Sequence, residues 1–90
     1  GPVAILDATS GAIRTTVTGW IAVRDGTVVG STAWLADGKA QAVRLLDLDA
    51  GKVTTSYALP GAFNPFVAEP AAGNVFVLDF GGTTVWRIRP

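Results

Sequence analysis

Eleven glycines and five prolines interrupt this 90-residue chain at short intervals. No window of about 11–18 residues carries a sustained helical period of apolar side chains. The runs between the interruptions are rich in Val, Ile, Thr, Phe and Trp, the residue types that suit a pleated, half-buried strand. Strands are expected at Val3–Asp7, Ala12–Thr18, Trp20–Val23, Thr27–Leu35, Gln41–Leu48, Lys52–Leu59, Pro65–Ala68, Asn74–Phe80 and Thr84–Arg89. Turns are expected at Ala8–Gly11, Asp25-Gly26, Asp37-Gly38, Asp49–Gly51, Pro60-Gly61, Pro70–Gly73 and Gly81-Gly82. Asp-Gly and Gly-Gly steps between apolar runs mark hairpins, because such turns need a positive φ. Short strands at roughly ten-residue spacing describe an antiparallel meander.

The chain also repeats. Ile5–Thr16 aligns without a gap on Leu45–Ser56, an offset of 40, so that Asp7 meets Asp47, Gly11 meets Gly51, Ile13 meets Val53 and Thr15 meets Thr55. Thinner correspondences place Thr27-Val28-Val29 on Asn74-Val75-Phe76 at an offset of 47, and Val43 on Val85 at an offset of 42. Periods of about 40–50 residues with four strands each are those of propeller blades. With the strands of such a unit labelled A to D, the chain reads C-D, then A-B-C-D, then A-B-C.

Several residues fall in a familiar order. An apolar-Asp pair, Leu46-Asp47, is followed by a small-residue turn with Gly51 and a Val/Thr-rich strand over Val53–Leu59. Then come Gly61, Pro65, the apolar pair Phe66-Val67, a turn from Pro70 to Gly73, and the aromatic-Val step Phe76-Val77. This order resembles the YVTN-type repeat of β-propellers, a repeat also seen in relatives of the quinoprotein dehydrogenases. The likeness covers Ala42–Ile88 and Val3–Val17 and is poor over Thr18–Ala40, where no Pro precedes the inner strand. It implies an all-β fold of antiparallel four-stranded propeller blades, a partial β-propeller with 20–59 as a full blade and 3–18 and 62–90 as partial ones. A small β-barrel or sandwich is the alternative. If a ligand surface exists, the resemblance places it where propellers line their central channel, at Trp20, Arg24, Asn64 and Phe66, which flank the expected inner strands.

Composition removes most chemistry. The chain has no Cys and no His, which excludes disulfides, thiolate and imidazole metal sites, and Cys- or His-based catalysis. Seven basic and seven acidic residues cancel, so there is no electrostatic footprint for nucleic acid. No apolar run approaches the roughly 20 residues of a membrane span. Ser10, Ser31 and Ser56 have no base to activate them, and Lys39 and Lys52 stand in polar turn-like contexts rather than in an S-x-x-K pattern. Asp7 and Asp47 read as strand ends whose carboxylates accept turn amides. Asp47-Leu48-Asp49 lacks the later acidic ligand of a calcium loop. Trp20, Trp34 and Trp86 read as packing residues, and Gly81-Gly82 as a tight turn, since no helix follows to make a phosphate site. No catalytic residue, metal or cofactor is expected. The chain carries no Met and reads as a processed or excised piece, with Gly1-Pro2 as the scar of a cleaved tag; a secreted or extracytoplasmic setting is the expectation.

Strands apolar on both sides, such as Val75–Leu78, call for neighbours on both faces. Two blades alone would leave large apolar faces open, beyond what soluble monomers tolerate. Partners are therefore expected to be other chains of the same protein, or copies of itself completing a propeller, with Val3–Asp7 and Thr84–Arg89 as exposed edges. The functional expectation is a ligand- or protein-binding scaffold without chemistry of its own. A fragment of a propeller enzyme (a quinoprotein dehydrogenase, lactonase or lyase relative) and an engineered self-assembling repeat are the alternatives.

Overall fold

The computed structural model describes residues 2–20, 22–68, 73–82 and 84–90. Among these there is no helix. The strands are β1 (Val3–Leu6), β2 (Ile13–Val17), β3 (Val23–Val29), β4 (Thr32–Asp37), β5 (Ala42–Asp47), β6 (Lys52–Ala58), β7 (Pro65–Val67), β8 (Val75–Asp79) and β9 (Val85–Ile88). They make three antiparallel meanders, β1-β2, β3-β4-β5-β6 and β7-β8-β9. The all-β expectation is met. The barrel alternative is not, because none of the sheets closes on itself.

The inner strands β4 and β5 of the second sheet are covered on both faces, and alternation along each strand decides which side chain goes where. Trp34 and Ala36 of β4, with Val43 and Leu45 of β5, pack against the third sheet, where Val67, Val75, Val77 and Ile88 meet them. Tyr57 joins this layer, its ring 6.1 Å from that of Trp34 and tilted from it by only 2°. On the opposite face Ala33, Leu35 and Leu46 pack against Val17 and Trp20, with Val3 and Ile5 beside them. Polar bridges cross the same two interfaces. The Arg14 guanidinium donates to the Leu48 carbonyl, and Arg44 donates to the Gly19 carbonyl (2.6 Å) while lying 5.4 Å over the Trp20 ring. The Asp25 carboxylate accepts the Val67 amide at 2.8 Å.

One expected turn is corrected. Asp25-Gly26 lies inside β3, at a bulge where the register with β4 shifts between Val23 and Asp25. Of the expected strand Trp20–Val23 only Val23 is in a strand, as the first residue of β3 (Ile21 lies outside the described residues), and Thr27–Leu35 is not one strand. The reversal comes at Gly30-Ser31, which joins the paired residues Val29 and Thr32. Gly30 takes a φ of 61° there, the conformation that a two-residue hairpin with Gly in first place requires.

The repeat is written into the registers. The pairs Val3↔Val17, Ala4↔Thr16, Ile5↔Thr15 and Leu6↔Ile13 recur 40 residues on as Val43↔Tyr57, Arg44↔Ser56, Leu45↔Thr55 and Leu46↔Val53, with the bulge at the same step. The pairs Ala33↔Leu46, Trp34↔Leu45, Leu35↔Arg44 and Ala36↔Val43 recur at an offset of 42 as Val75↔Ile88, Phe76↔Arg87, Val77↔Trp86 and Leu78↔Val85. The correspondence at 47 is not realised, since Asn74-Val75-Phe76 takes the place of Thr32-Ala33-Trp34. Turn chemistry repeats too. Asp7 accepts the amides of Thr9 (2.8 Å) and Ser10 (3.0 Å), and Asp47 accepts those of Asp49 and Ala50 (both 2.9 Å).

Gly11 and Gly51 close these two turns at φ of 74° and 69°. They differ in what surrounds them. A Cβ on Gly51 would meet Thr15 Cγ2 at 2.9 Å, whereas one on Gly11 would enter open space. Gly51→Ala should therefore cost about 1–3 kcal/mol and more than Gly11→Ala, which carries the backbone strain alone. Chemical denaturation of the two variants measures the difference; equal losses would mean that the first and second sheets do not meet at Thr15.

Candidate functional site

β6 and β9 are the outermost strands of the second and third sheets, and a cleft of about 360 Å³ opens between them. Ser56–Leu59 form one wall and Trp86–Arg89 the other. Successive side chains of a strand point to opposite faces, so consecutive residues along a wall mean that strand edges, with their backbone N–H and C=O groups, line the cleft. Tyr57 and Trp86 are half-buried beside it, and Arg87 and Arg89 are exposed. The register equivalence gives the cleft its meaning. β9 stands where β5 stands in the second sheet, and β5 is paired along both edges, by β4 and by β6. Among the described residues only one edge of β9 is paired, by β8.

The four residues expected at a ligand surface are not gathered here. Trp20 is buried between the first and second sheets. Arg24 lies at the β3 bulge, its side chain against Gly38, where the Phe63 carbonyl also approaches. Asn64 sits in the approach to β7; its amide donates to Asp79 Oδ1 at 2.7 Å and its carbonyl accepts the Phe80 amide at 2.9 Å. Arg24 and the Phe63-Asn64 segment thus meet at the Gly38 turn. Phe66 is on the far face of the third sheet, its ring 5.3 Å from that of Phe80.

Five of the described carboxylates serve the backbone. Asp37 Oδ1 accepts the amides of Ala22 and Ala40 (both 3.0 Å). Asp79 Oδ1, its equivalent 42 residues on, accepts those of Phe63 (3.1 Å) and Asn64 (2.7 Å). With Asp7, Asp25 and Asp47 they tie strand ends, bulges and turns rather than face one another across a reaction site. Among the described residues no group of three or more His, Cys, Asp or Glu could hold a metal ion.

Asp7 shows the consequence in its titration. The amides of Ser10 and Thr9 stabilise its charged form and hold its carboxyl below the ordinary aspartate range. A depressed carboxyl contributes stability that is complete above the ordinary range and is lost as pH falls through the lowered value. A carboxyl NMR titration should give Asp7 a midpoint below that of an unstructured aspartate, with the Thr9 and Ser10 amide shifts following the same curve. A midpoint at the ordinary value would contradict the turn geometry.

Neither wall of the cleft was singled out as a ligand surface by sequence reasoning. The usable signal was the expectation that Thr84–Arg89 forms an exposed edge. No protein-family model matches the chain, nor does any curated protein or solved structure.

Proposed function

We propose that the chain is a propeller-type repeat scaffold that binds an extended segment of another protein at a sheet edge and has no chemistry of its own. The observation that carries this reading is the cleft between the β6 and β9 edges. An incoming strand there would add to β9 as β6 adds to β5, with main-chain hydrogen bonds giving affinity and alternate side chains giving selectivity. One face of the added strand would rest against Tyr57 and Trp86, which border the space. Two further features support a scaffold: stacked sheets linked by register repeats of 40 and 42 residues, and the commitment of Asp7, Asp25, Asp37, Asp47 and Asp79 to backbone amides.

The probe follows from the equivalence of β5 and β9. A synthetic peptide with the sequence of Lys52–Ala58, the strand that pairs with β5, is titrated into the protein while amide exchange is followed. Exchange at Val85–Ile88 should slow, and the same peptide carrying Thr55→Pro, which interrupts the ladder, should have a weaker effect. Protection that appears elsewhere, or none at saturating peptide, would overturn the edge-binding reading.

A further inference from the structure

The outer faces of the first and third sheets carry register equivalents of buried residues. On the third sheet Phe76, Leu78 and Val85 are 40%, 48% and 59% exposed. Their equivalents on the second sheet, Trp34, Ala36 and Val43, are 7%, 0% and 0% exposed because the third sheet covers them. At the other end of the stack Leu6 is 53% exposed, whereas Leu46, its equivalent on the second sheet, is 1% exposed under the first sheet. Ile13 pairs with Leu6 and enlarges the same open patch. One departure occurs in the set: Arg87 takes the place of Leu45, and its aliphatic stem can lie along apolar surface while its head stays in water.

The two open faces are therefore of different kinds. The third sheet ends the stack with the face that elsewhere receives a sheet, and the first sheet ends it with the face that elsewhere is laid onto one. We infer that a second copy of this chain docks head-to-tail, the outer face of its first sheet (Leu6 and Ile13) seated on the outer face of this chain's third sheet (Phe76, Leu78 and Val85). The inference rests on the repeat-scaffold reading and adds its partner. It continues an interface that the chain already makes twice internally. Such a contact is heterologous, so the pair as a whole keeps one free face of each kind, and copies add until the rotation closes a ring.

The test uses the whole chain and two single-face variants. Leu78→Glu spoils only the third-sheet face, and Leu6→Lys only the first-sheet face. Both positions are exposed, and far-ultraviolet circular dichroism checks that the fold persists. Val85→Glu and Ile13→Lys replace them if either variant fails to fold. Light scattering should give the unmodified chain a mass at a multiple of 9.3 kDa and each variant alone the monomer mass. An equimolar mixture of the two variants should restore a dimer, because one retains an intact third sheet and the other an intact first sheet. Leu6→Lys that still self-associates alone would show like faces pairing and overturn the head-to-tail arrangement. An unmodified chain that stays monomeric across the concentration range would overturn docking by a second copy altogether and assign those faces to other polypeptide. Neither outcome touches the peptide titration, so failure of the docking and failure of the scaffold reading are told apart.

Discussion

Trp34→Ala is expected to cost about 3–5 kcal/mol, a large share of the roughly 5–15 kcal/mol that holds a small domain folded. Trp34 is buried on the face of the second sheet that meets the third. It is stacked on Tyr57 and packed in one layer with Val43, Val67, Val75 and Val77. Removing the indole takes away its transfer free energy and leaves a cavity between two hydrogen-bonded sheets, whose backbones cannot close over it. The loss extends to the third sheet, which is held by this layer and by the Asp25–Val67 hydrogen bond. Phe63→Ala is the matched comparison. That ring is mostly exposed, and its removal should change stability by no more than about 0.5 kcal/mol. Urea unfolding followed by circular dichroism gives both values. A loss below about 1 kcal/mol for Trp34→Ala would mean that the second and third sheets do not share a core.

The strand pattern was legible because its cause is local. Turn residues that need positive φ, and runs of β-branched and aromatic residues, act within a few positions of one another. Strands β1, β2, β5, β6, β8 and β9 accordingly fall within a residue or two of the expected bounds. The failure at Asp25-Gly26 is instructive. An Asp-Gly step suits a hairpin and a bulge equally, and here the Asp25 carboxylate is engaged by the Val67 amide of another sheet, a contact invisible in the local pattern. The misplaced turn also shifts the alignment, setting Thr27-Val28-Val29 on Asn74-Val75-Phe76, whose counterpart by register is Thr32-Ala33-Trp34. The offset of 42 at Val43 and Val85 was sound because it rested on strands whose turns were read correctly.

The site was less legible for a related reason. Trp20, Arg24, Asn64 and Phe66 flank the inner strands of an assumed repeat, but the chain places Trp20 between two sheets, Arg24 and Asn64 about the Gly38 turn and Phe66 on an outer face. The β6–β9 cleft depends on which strands end their sheets, a property of pairing across the whole fold rather than of any residue type. Only the expectation of an exposed C-terminal edge pointed toward it.

Asp37→Ala carries the second large expected loss, about 2–6 kcal/mol, from two amides each left without its acceptor at roughly 1–3 kcal/mol. Asp37 is fully buried, and its Oδ1 receives the amides of Ala22 and Ala40, binding the entry to β3 and the β4–β5 turn to the end of β4. Water cannot replace a carboxylate there without opening the strand ends. Asp79 also takes two amides, those of Phe63 and Asn64, but is only half-buried, so water satisfies part of what Asp79→Ala removes and the loss should be smaller. Asp7 is exposed, and Asp7→Ala should cost least, although its carboxylate also takes two amides. Each of the three carboxylates thus takes two amides, and the three differ in burial. Their unfolding free energies should fall in the order Asp37, Asp79, Asp7 from largest loss to smallest. Asp37→Asn should recover part of the loss by keeping one acceptor oxygen. Equal losses at all three positions would mean that the hydrogen bonds alone set the cost, and that desolvation at the strand ends does not.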